Sequence, residues 1–332
     1  MDYTVLGVSS GIGVSLFPFK EHCIGNIEPR AIFHTPKNEQ WKVNFGNIPL
    51  WRDLPENALK PNVIISSPDC GSGSVLRYSR AKKLGNHRLN ASLAISLKSI
   101  RKYRPDFFYL ENLPGLMNSL PQKRWAKTMG SYTLILHTAS VSHWGNSQIN
   151  RKRLVIIGIR HNLVGNWEKI FRLPDRRDKI KTCGELYGDL MKFNLPLGHI
   201  SEYSTQEIAM YGGCKMPLYE VQRVWASKPR AKRWAVTDRK YKNAPGVYRN
   251  RKKDYPATAR KSNRQFDHWG RQLSPRQLAR IQGVPDSFRL YVEKGLKRNY
   301  WINKARAAVT KTPPMEISIW FKQKLDKYYG NR

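Results

Sequence analysis

The stretch that most restricts the fold is Val63-Ile64-Ile65-Ser66-Ser67-Pro68-Asp69-Cys70-Gly71, an apolar run that stops at a turn. A short β-branched run bounded by Pro and Gly reads as a buried strand, here presenting one thiol at its carboxyl end. The design repeats at Phe107-Phe108-Tyr109-Leu110, which runs into Glu111-Asn112-Leu113-Pro114-Gly115. Between them, Leu89, Leu93, Leu97 and Ile100 recur at helical spacing and predict a helix crossing back over the sheet. Strand, helix, strand in this order predicts an α/β protein, and open α/β sheets place their chemistry at the carboxyl ends of their strands. One loop offers a nucleophile, Cys70; the other offers an acid and an amide, Glu111 and Asn112.

The same logic applies to the beginning of the chain. Residues 3–13 read as a strand that passes into Ser10-Gly11-Ile12-Gly13, where glycines permit tight turning and close approach of a ligand to the backbone. The full dinucleotide fingerprint is absent, because no third glycine stands in register. Cys23-Ile24-Gly25-Asn26-Ile27 is a second strand, ending at Glu28. An acid there either holds ribose hydroxyls or is simply solvated. Asp53, followed by Leu54, takes a third strand-end position after Trp51-Arg52. Two further strands are expected at 132–136 and 154–159, preceded in the second case by Arg151 and Arg153. Two residues apart on an extended chain they face the same way, either toward one ligand or as a charged rim.

Charge narrows the choice of partner. The chain of 332 residues, enough for one or two domains, carries 59 Lys and Arg against 24 Asp and Glu, a net charge of +35. Such an excess calls for a polyanion, nucleic acid before membrane. No apolar run approaches the roughly 20 residues that cross a bilayer, and the opening residues lack the pattern of a signal peptide. The four cysteines are widely spaced, with no paired metal-ligand signature, which implies no metal and a reducing compartment such as the cytoplasm. After about residue 165 the regular alternation weakens. Between Arg223 and Arg264 fifteen lysines and arginines face two acids, interleaved with Trp225, Trp234, Tyr241, Tyr248 and Tyr255, a composition suited to phosphates and bases. A second basic stretch, Arg77, Arg80, Lys82, Lys83, His87 and Arg88, follows the thiol. Pro275 is expected to open a helix through Leu278 and Ile281, and a last helix to follow Pro313-Pro314 with Ile317, Trp320, Phe321 and Leu325 inward.

Taken in order, these motifs resemble the DNA cytosine-5 methyltransferases, most of all the small bacterial and phage members. Ser10-Gly11-Ile12-Gly13 resembles the family's opening cofactor loop, and Glu28 and Asp53 fall where its ribose- and adenine-contacting acids fall. Ser67-Pro68-Asp69-Cys70 resembles the Pro-Cys loop, Glu111-Asn112-Leu113 the Glu-Asn-Val motif, and Arg151 and Arg153 the paired arginines of Gln-x-Arg-x-Arg. Pro256-Ala257-Thr258 and the stretch from Arg271 to Phe288 resemble the motif that shapes the recognition domain. Four motifs depart from the pattern. Asp69 replaces the proline before the cysteine and Gly71 the glutamine after it. Gln148 is displaced by one from its slot, which Ile149 takes. Gln277 stands where a glutamate is usual, and Val309-Thr310-Lys311-Thr312-Pro313 only loosely echoes Gly-Asn-Ala-Val-Pro.

The resemblance implies an S-adenosylmethionine-dependent methyltransferase fold, a Rossmann-like mixed sheet with helices on both faces, plus a small loop-rich DNA-recognition domain. It divides the chain into a catalytic and cofactor-binding domain at 1–165, a recognition region at 166–262, and a junction with a returning terminal helix at 263–332. It implies a catalytic group of Cys70, Glu111, Arg151, Arg153, Asn112 and Asp69. It also implies a cofactor group of Ser10, Gly11, Ile12, Gly13, Glu28, Asp53, Leu54, Pro68 and Lys311. S-adenosylmethionine is the expected cofactor and double-stranded DNA the expected substrate. A monomer is expected, either standing alone or as half of a restriction-modification pair with a cognate restriction endonuclease. Lys311 is either an exposed lysine or a contact for an extra acidic group on a modified cofactor. The alternatives are a silent or weak relative kept as a DNA-binding protein, and a related enzyme that acts on RNA or transfers another group.

Overall fold

The computed structural model describes residues 3–29, 36–55, 59–69, 91–119, 129–176, 180–190, 235–236, 247–249, 256, 265–266, 273–290 and 298–330. The chain forms two compact units. The first comprises 1–145, 151–177 and 312–332; the second comprises 146–150 and 178–311.

The first unit is built on a seven-stranded sheet. Its strands are β1 (Val5–Val8), β2 (Cys23–Ile27), β3 (Leu50–Trp51), β4 (Val63–Ser66), β5 (Phe107–Asn112), β6 (Tyr132–Ser140) and β7 (Lys152–Arg160). They lie in the order β3-β2-β1-β4-β5-β7-β6. The pairs from β3 to β5 are parallel, while β7 is antiparallel to both β5 and β6. Every residue of β1, β4 and β5 is buried, as expected of parallel strands covered on both faces, whereas the edge strand β6 alternates toward exposure. The expected strands at 132–136 and 154–159 are present and extend a few residues further at their ends. Strand order reverses between β1 and β4, and it is at the carboxyl ends beside such a switch point that open α/β sheets bind their ligands.

Alternation along β5 assigns its two faces. Phe108 and Leu110 join one core cluster with Leu6, Ile64 and, from helix α2 (Ala91–Tyr103, after α1 at Pro36–Phe45), Leu93, Leu97 and Ile100. Phe107 and Tyr109 point the other way. Phe107 meets Trp167 at 5.5 Å, and Tyr109 meets Phe321 at 5.3 Å between ring centroids. Trp167 belongs to α4 (Trp167–Ile170), which follows the short α3 (Leu116–Ser119); Phe321 belongs to α8 (Met315–Gly330). The tight face is made possible by Gly158, the β7 partner of Phe108, where a Cβ would sit 1.8 Å from the ring. The expected terminal helix therefore packs on the sheet, and Tyr3 Oη donates to Asp326 Oδ1 at 2.7 Å beside the first strand.

The second unit contains α5 (Cys183–Tyr187), α6 (Pro275–Ile281), α7 (Arg298–Lys311) and a small sheet of β8 (Ala235–Val236), β9 (Val247–Arg249) and β10 (Gln265–Phe266). Pro275 opens α6 at the expected position, and a capping box closes its first turn. Gln277 Oε1 accepts from Ser274 N at 2.8 Å while Ser274 Oγ accepts from Gln277 N at 3.1 Å. A neutral glutamine performs this job as well as a glutamate, which accounts for the departure at 277. Gln148 is wholly buried in this unit, and its Nε2 donates to Ile281 O at 3.1 Å and to Gln282 Oε1 at 3.0 Å. Arg280 is braced between Asp189 and Asp286. No helix among the described residues is long and apolar enough to cross a membrane, and no cluster of metal-ligating side chains occurs among them.

Candidate active site

The sheet register sets neighbouring strand ends side by side. Val8 pairs with Ser66 and Ser66 with Leu110, so Ser9, Ser67 and Glu111 follow one another across the carboxyl edge. The loop after β1 turns sharply. Ser9 has a φ of 56°, a left-handed conformation uncommon for a residue with a side chain. It is held there by Ser9 N donating to Ile27 O at 2.7 Å and Ser9 Oγ donating to Ser92 O at 3.0 Å. Gly13 has a φ of 87° and lies so close to α1 that a Cβ would fall 2.5 Å from the Phe45 ring. Ile12 is buried beside it.

Glu28 follows β2 and is only 6% exposed; its Oε2 accepts from Gly11 N at 2.9 Å, so the acid shapes the loop it faces. Asp53 follows β3 and is exposed, with Oδ1 accepting from Leu54 N at 2.9 Å; Leu54 leans on the core. Ser10 Oγ and Ser67 Oγ, at the ends of β1 and β4, are buried without a hydrogen-bond partner. Gly11 is exposed, and a Cβ there would meet open space. The loops thus offer buried polar atoms and an unobstructed backbone, features that suit a ligand with hydroxyls.

At the end of β5 alternation sends Glu111 to the Tyr109 face and Asn112 to the Phe108 face. Glu111 Oε1 pairs with Arg153 Nε at 2.7 Å, with side chains 8% and 14% exposed. Burial raises the Glu111 carboxyl above the ordinary carboxylate range, and the charges of Arg153 and then Arg151 partly oppose it. Beneath it, burial and then the charge of Glu111 push the Tyr109 phenol far up, so it stays neutral. Arg151 precedes β7 rather than lying within it. It is 1% exposed and donates from Nη2 to Thr312 O at 2.9 Å. Arg153 thus pairs directly with Glu111, while Arg151, whose charge also acts on Glu111, is anchored to the segment before α8. Lys311 is the exposed last residue of α7, in the second unit.

Asn112 Nδ2 donates to Pro68 O at 2.9 Å, and its Oδ1 accepts from Leu113 N at 2.8 Å. Pro68 is buried, and Asp69 N donates to Ser92 Oγ at 3.0 Å. Cys70 lies outside the described residues, as do the basic stretch 77–88, nearly all of 223–264, and Ala257, Thr258, Arg271 and Gln272. Sequence reasoning missed a set of buried serines. Ser92 O accepts from Ser96 Oγ at 2.6 Å, and Ser96 Oγ in turn accepts from Ser66 Oγ at 2.8 Å. The signal was present: Ser92, Ser96 and Ser99 recur at helical spacing on the buried side of α2.

The sheet order, with its single strand-direction reversal at β7, and a buried carboxyl set against an arginine at a strand end define an S-adenosylmethionine-dependent methyltransferase fold. Similarity to known proteins narrows it. The profile of the C-5 cytosine-specific DNA methylases matches residues 17–302, and the chain belongs to that family. It is 26% identical over 263 residues to the Type II methyltransferase M.FnuDI of Fusobacterium nucleatum, covering 74% of this chain and 73% of that protein. Among solved structures, a protein encoded within an Escherichia coli prophage superposes with a TM-score of 0.62 at 17% identity, covering 98% of this chain and 100% of the other. The S. pombe Dnmt2 methyltransferase superposes with a TM-score of 0.60 at 14% identity over 100% of both chains. Membership makes the protein a DNA (cytosine-5-)-methyltransferase, an enzyme that methylates cytosine in DNA with S-adenosylmethionine as methyl donor.

Proposed function

We propose that the protein acts on cytosine in double-stranded DNA through a covalent bond between Cys70 and C6 of a base turned out of the helix. The observation that carries this reading is the buried Glu111, raised toward its protonated form and set against Arg153, on a strand whose next residue holds the loop leading to Cys70.

Cytosine C5 is too weak a nucleophile to take a methyl group unaided. The Cys70 thiolate adds to C6, the ring electrons move toward N3, and C5 becomes enamine-like. Glu111 gives or shares a proton at N3 and relieves the charge that develops there. Arg153 turns a charged donor to the O2 edge, and Arg151, anchored to Thr312 O, supports it. The Asp69 carboxylate accepts from the exocyclic amino group. Bound S-adenosylmethionine supplies an electrophilic methyl group. The residues that would hold it are Ser10, Gly11, Ile12, Gly13, Glu28, Asp53, Leu54 and Pro68. The fit rests on the partnerless Ser10 and Ser67 hydroxyls and the open space beside Gly11. Loss of the C5 proton then expels the Cys70 thiolate and restores the aromatic ring. The base cannot be reached inside a duplex, so it must be flipped out, with residues 166–262 reading the flanking sequence.

The test is mass spectrometry of nucleosides from unmodified duplex DNA incubated with the protein and S-adenosylmethionine, with Cys70→Ala alongside. A deoxycytidine heavier by one methyl group, absent with the variant, is expected. No methylated nucleoside on varied duplexes would refute the reading and shift it to a DNA-binding relative, and methylation of RNA alone would move the substrate.

A further inference from the structure

The group that precedes the proposed nucleophile is one planar peptide unit, the carbonyl of Pro68 and the N–H of Asp69. Both of its polar atoms are taken, from two different elements. Asn112 on β5 donates to the Pro68 carbonyl at 2.9 Å, and Ser92 on α2 accepts from the Asp69 N–H at 3.0 Å. Asn112 and Ser92 are each 2% exposed, so water does not substitute readily for either. A peptide plane gripped at both ends cannot turn without breaking one bond.

Ser92 is itself fixed. Its carbonyl accepts from Ser9 Oγ at 3.0 Å and from Ser96 Oγ at 2.6 Å, and Ser96 is tied to Ser66. The brace therefore reaches the carboxyl ends of β1 and β4 alike. The arrangement depends on the departure at 69. A proline has no N–H and a locked φ, so the motif this loop resembles has no use for an acceptor at 92. Asp69 loses the lock and gains a donor, and a buried donor left unmade is costly.

We propose that Ser92 is a positioning residue for methyl transfer, one that replaces the stiffness of a proline by clamping the 68–69 peptide plane together with Asn112. The proposal rests on the reading of Cys70 as nucleophile, and its test separates the two. Hydrogen exchange of the Asp69 amide and steady-state methyl transfer are measured for the full chain, for Ser92→Ala and for Ser92→Cys, each with and without Asp69→Pro. The cysteine variant keeps the bulk and loses a good acceptor, which guards against a folding defect of the alanine variant.

The Asp69 amide is expected to exchange roughly tenfold faster in both Ser92 variants, with kcat down by roughly tenfold. KM for S-adenosylmethionine should hold, because the Ser92 carbonyl still receives Ser9. In the Asp69→Pro background, which has no N–H to lose, the same Ser92 substitutions should change kcat less than about twofold. Unchanged amide exchange, or an equal kcat loss in both backgrounds, would overturn the clamp. If the unsubstituted protein transfers no methyl group, the functional reading fails, and amide exchange alone decides the clamp.

Discussion

Replacing Arg153 with methionine isolates the electrostatics of the site. The Glu111 and Arg153 side chains are 8% and 14% exposed, so solvent screens their 2.7 Å contact little. Removing one partner of such a pair costs about 3–5 kcal/mol, because the other charge is left buried. That is a large share of a total stability of roughly 5–15 kcal/mol. Glu111 can escape part of the cost by binding a proton, at about 1.4 kcal/mol for each unit between its pKa and the ambient pH. Burial already lifts its carboxyl from 4.5, and Arg153 is the strongest influence holding it down. A carboxyl raised on folding binds its proton more tightly folded than unfolded. Its stabilising effect is full below the unfolded pKa and is lost as pH rises through the folded one. In Arg153→Met that upper limit moves higher. The deficit relative to the parent should therefore be small near pH 4.5 and grow toward pH 8. Urea unfolding at stepped pH measures it. A deficit independent of pH, or one below about 1 kcal/mol at pH 8, would refute the reasoning.

Other substitutions probe separate parts of the structure. Phe321→Ala removes a fully buried ring that meets Tyr109 at 5.3 Å and Phe171 at 5.7 Å. It should cost about 3–5 kcal/mol by chemical denaturation, and a loss under about 1 kcal/mol would contradict the packing. Gly13→Ala places a Cβ on a φ of 87° and 2.5 Å from Phe45. A lower melting temperature together with weaker S-adenosylmethionine binding by calorimetry is expected, and parent values for both would contradict it. Asp69→Asn should lower methyl transfer or relax base preference, and unchanged rates and preference would remove the carboxylate from the proposed mechanism.

The sheet was legible because parallel strands buried on both faces leave a strong mark. Val63-Ile64-Ile65 and Phe107–Leu110 could be placed as strands from composition and flanking turns. The α6 and α8 starts were legible because proline marks a first turn. Glu111 and Arg153 were named from their motifs, and their contact is what antiparallel pairing of β5 with β7 produces, a direction that no local pattern specifies. Arg151 was less legible. Its partner Thr312 lies 161 residues away, and such closure is not encoded in spacing. The serine brace was hidden for another reason. Serines inside an apolar helix read as neutral filler until a donor such as the Asp69 N–H is seen above them.

The first unit is assembled from three separated pieces of chain, with 178–311 intervening before the segment 312–332 that supplies α8. That ordering has a consequence during synthesis. Until α8 emerges from the ribosome, Phe107, Tyr109 and Phe171 lack the contacts that Tyr328 and Phe321 make with them. At roughly 5–20 residues per second, translating the intervening stretch takes on the order of ten seconds. A sheet formed within that interval has only part of its final aromatic packing, with Phe107 against Trp167 and Phe171 but not yet against Tyr328.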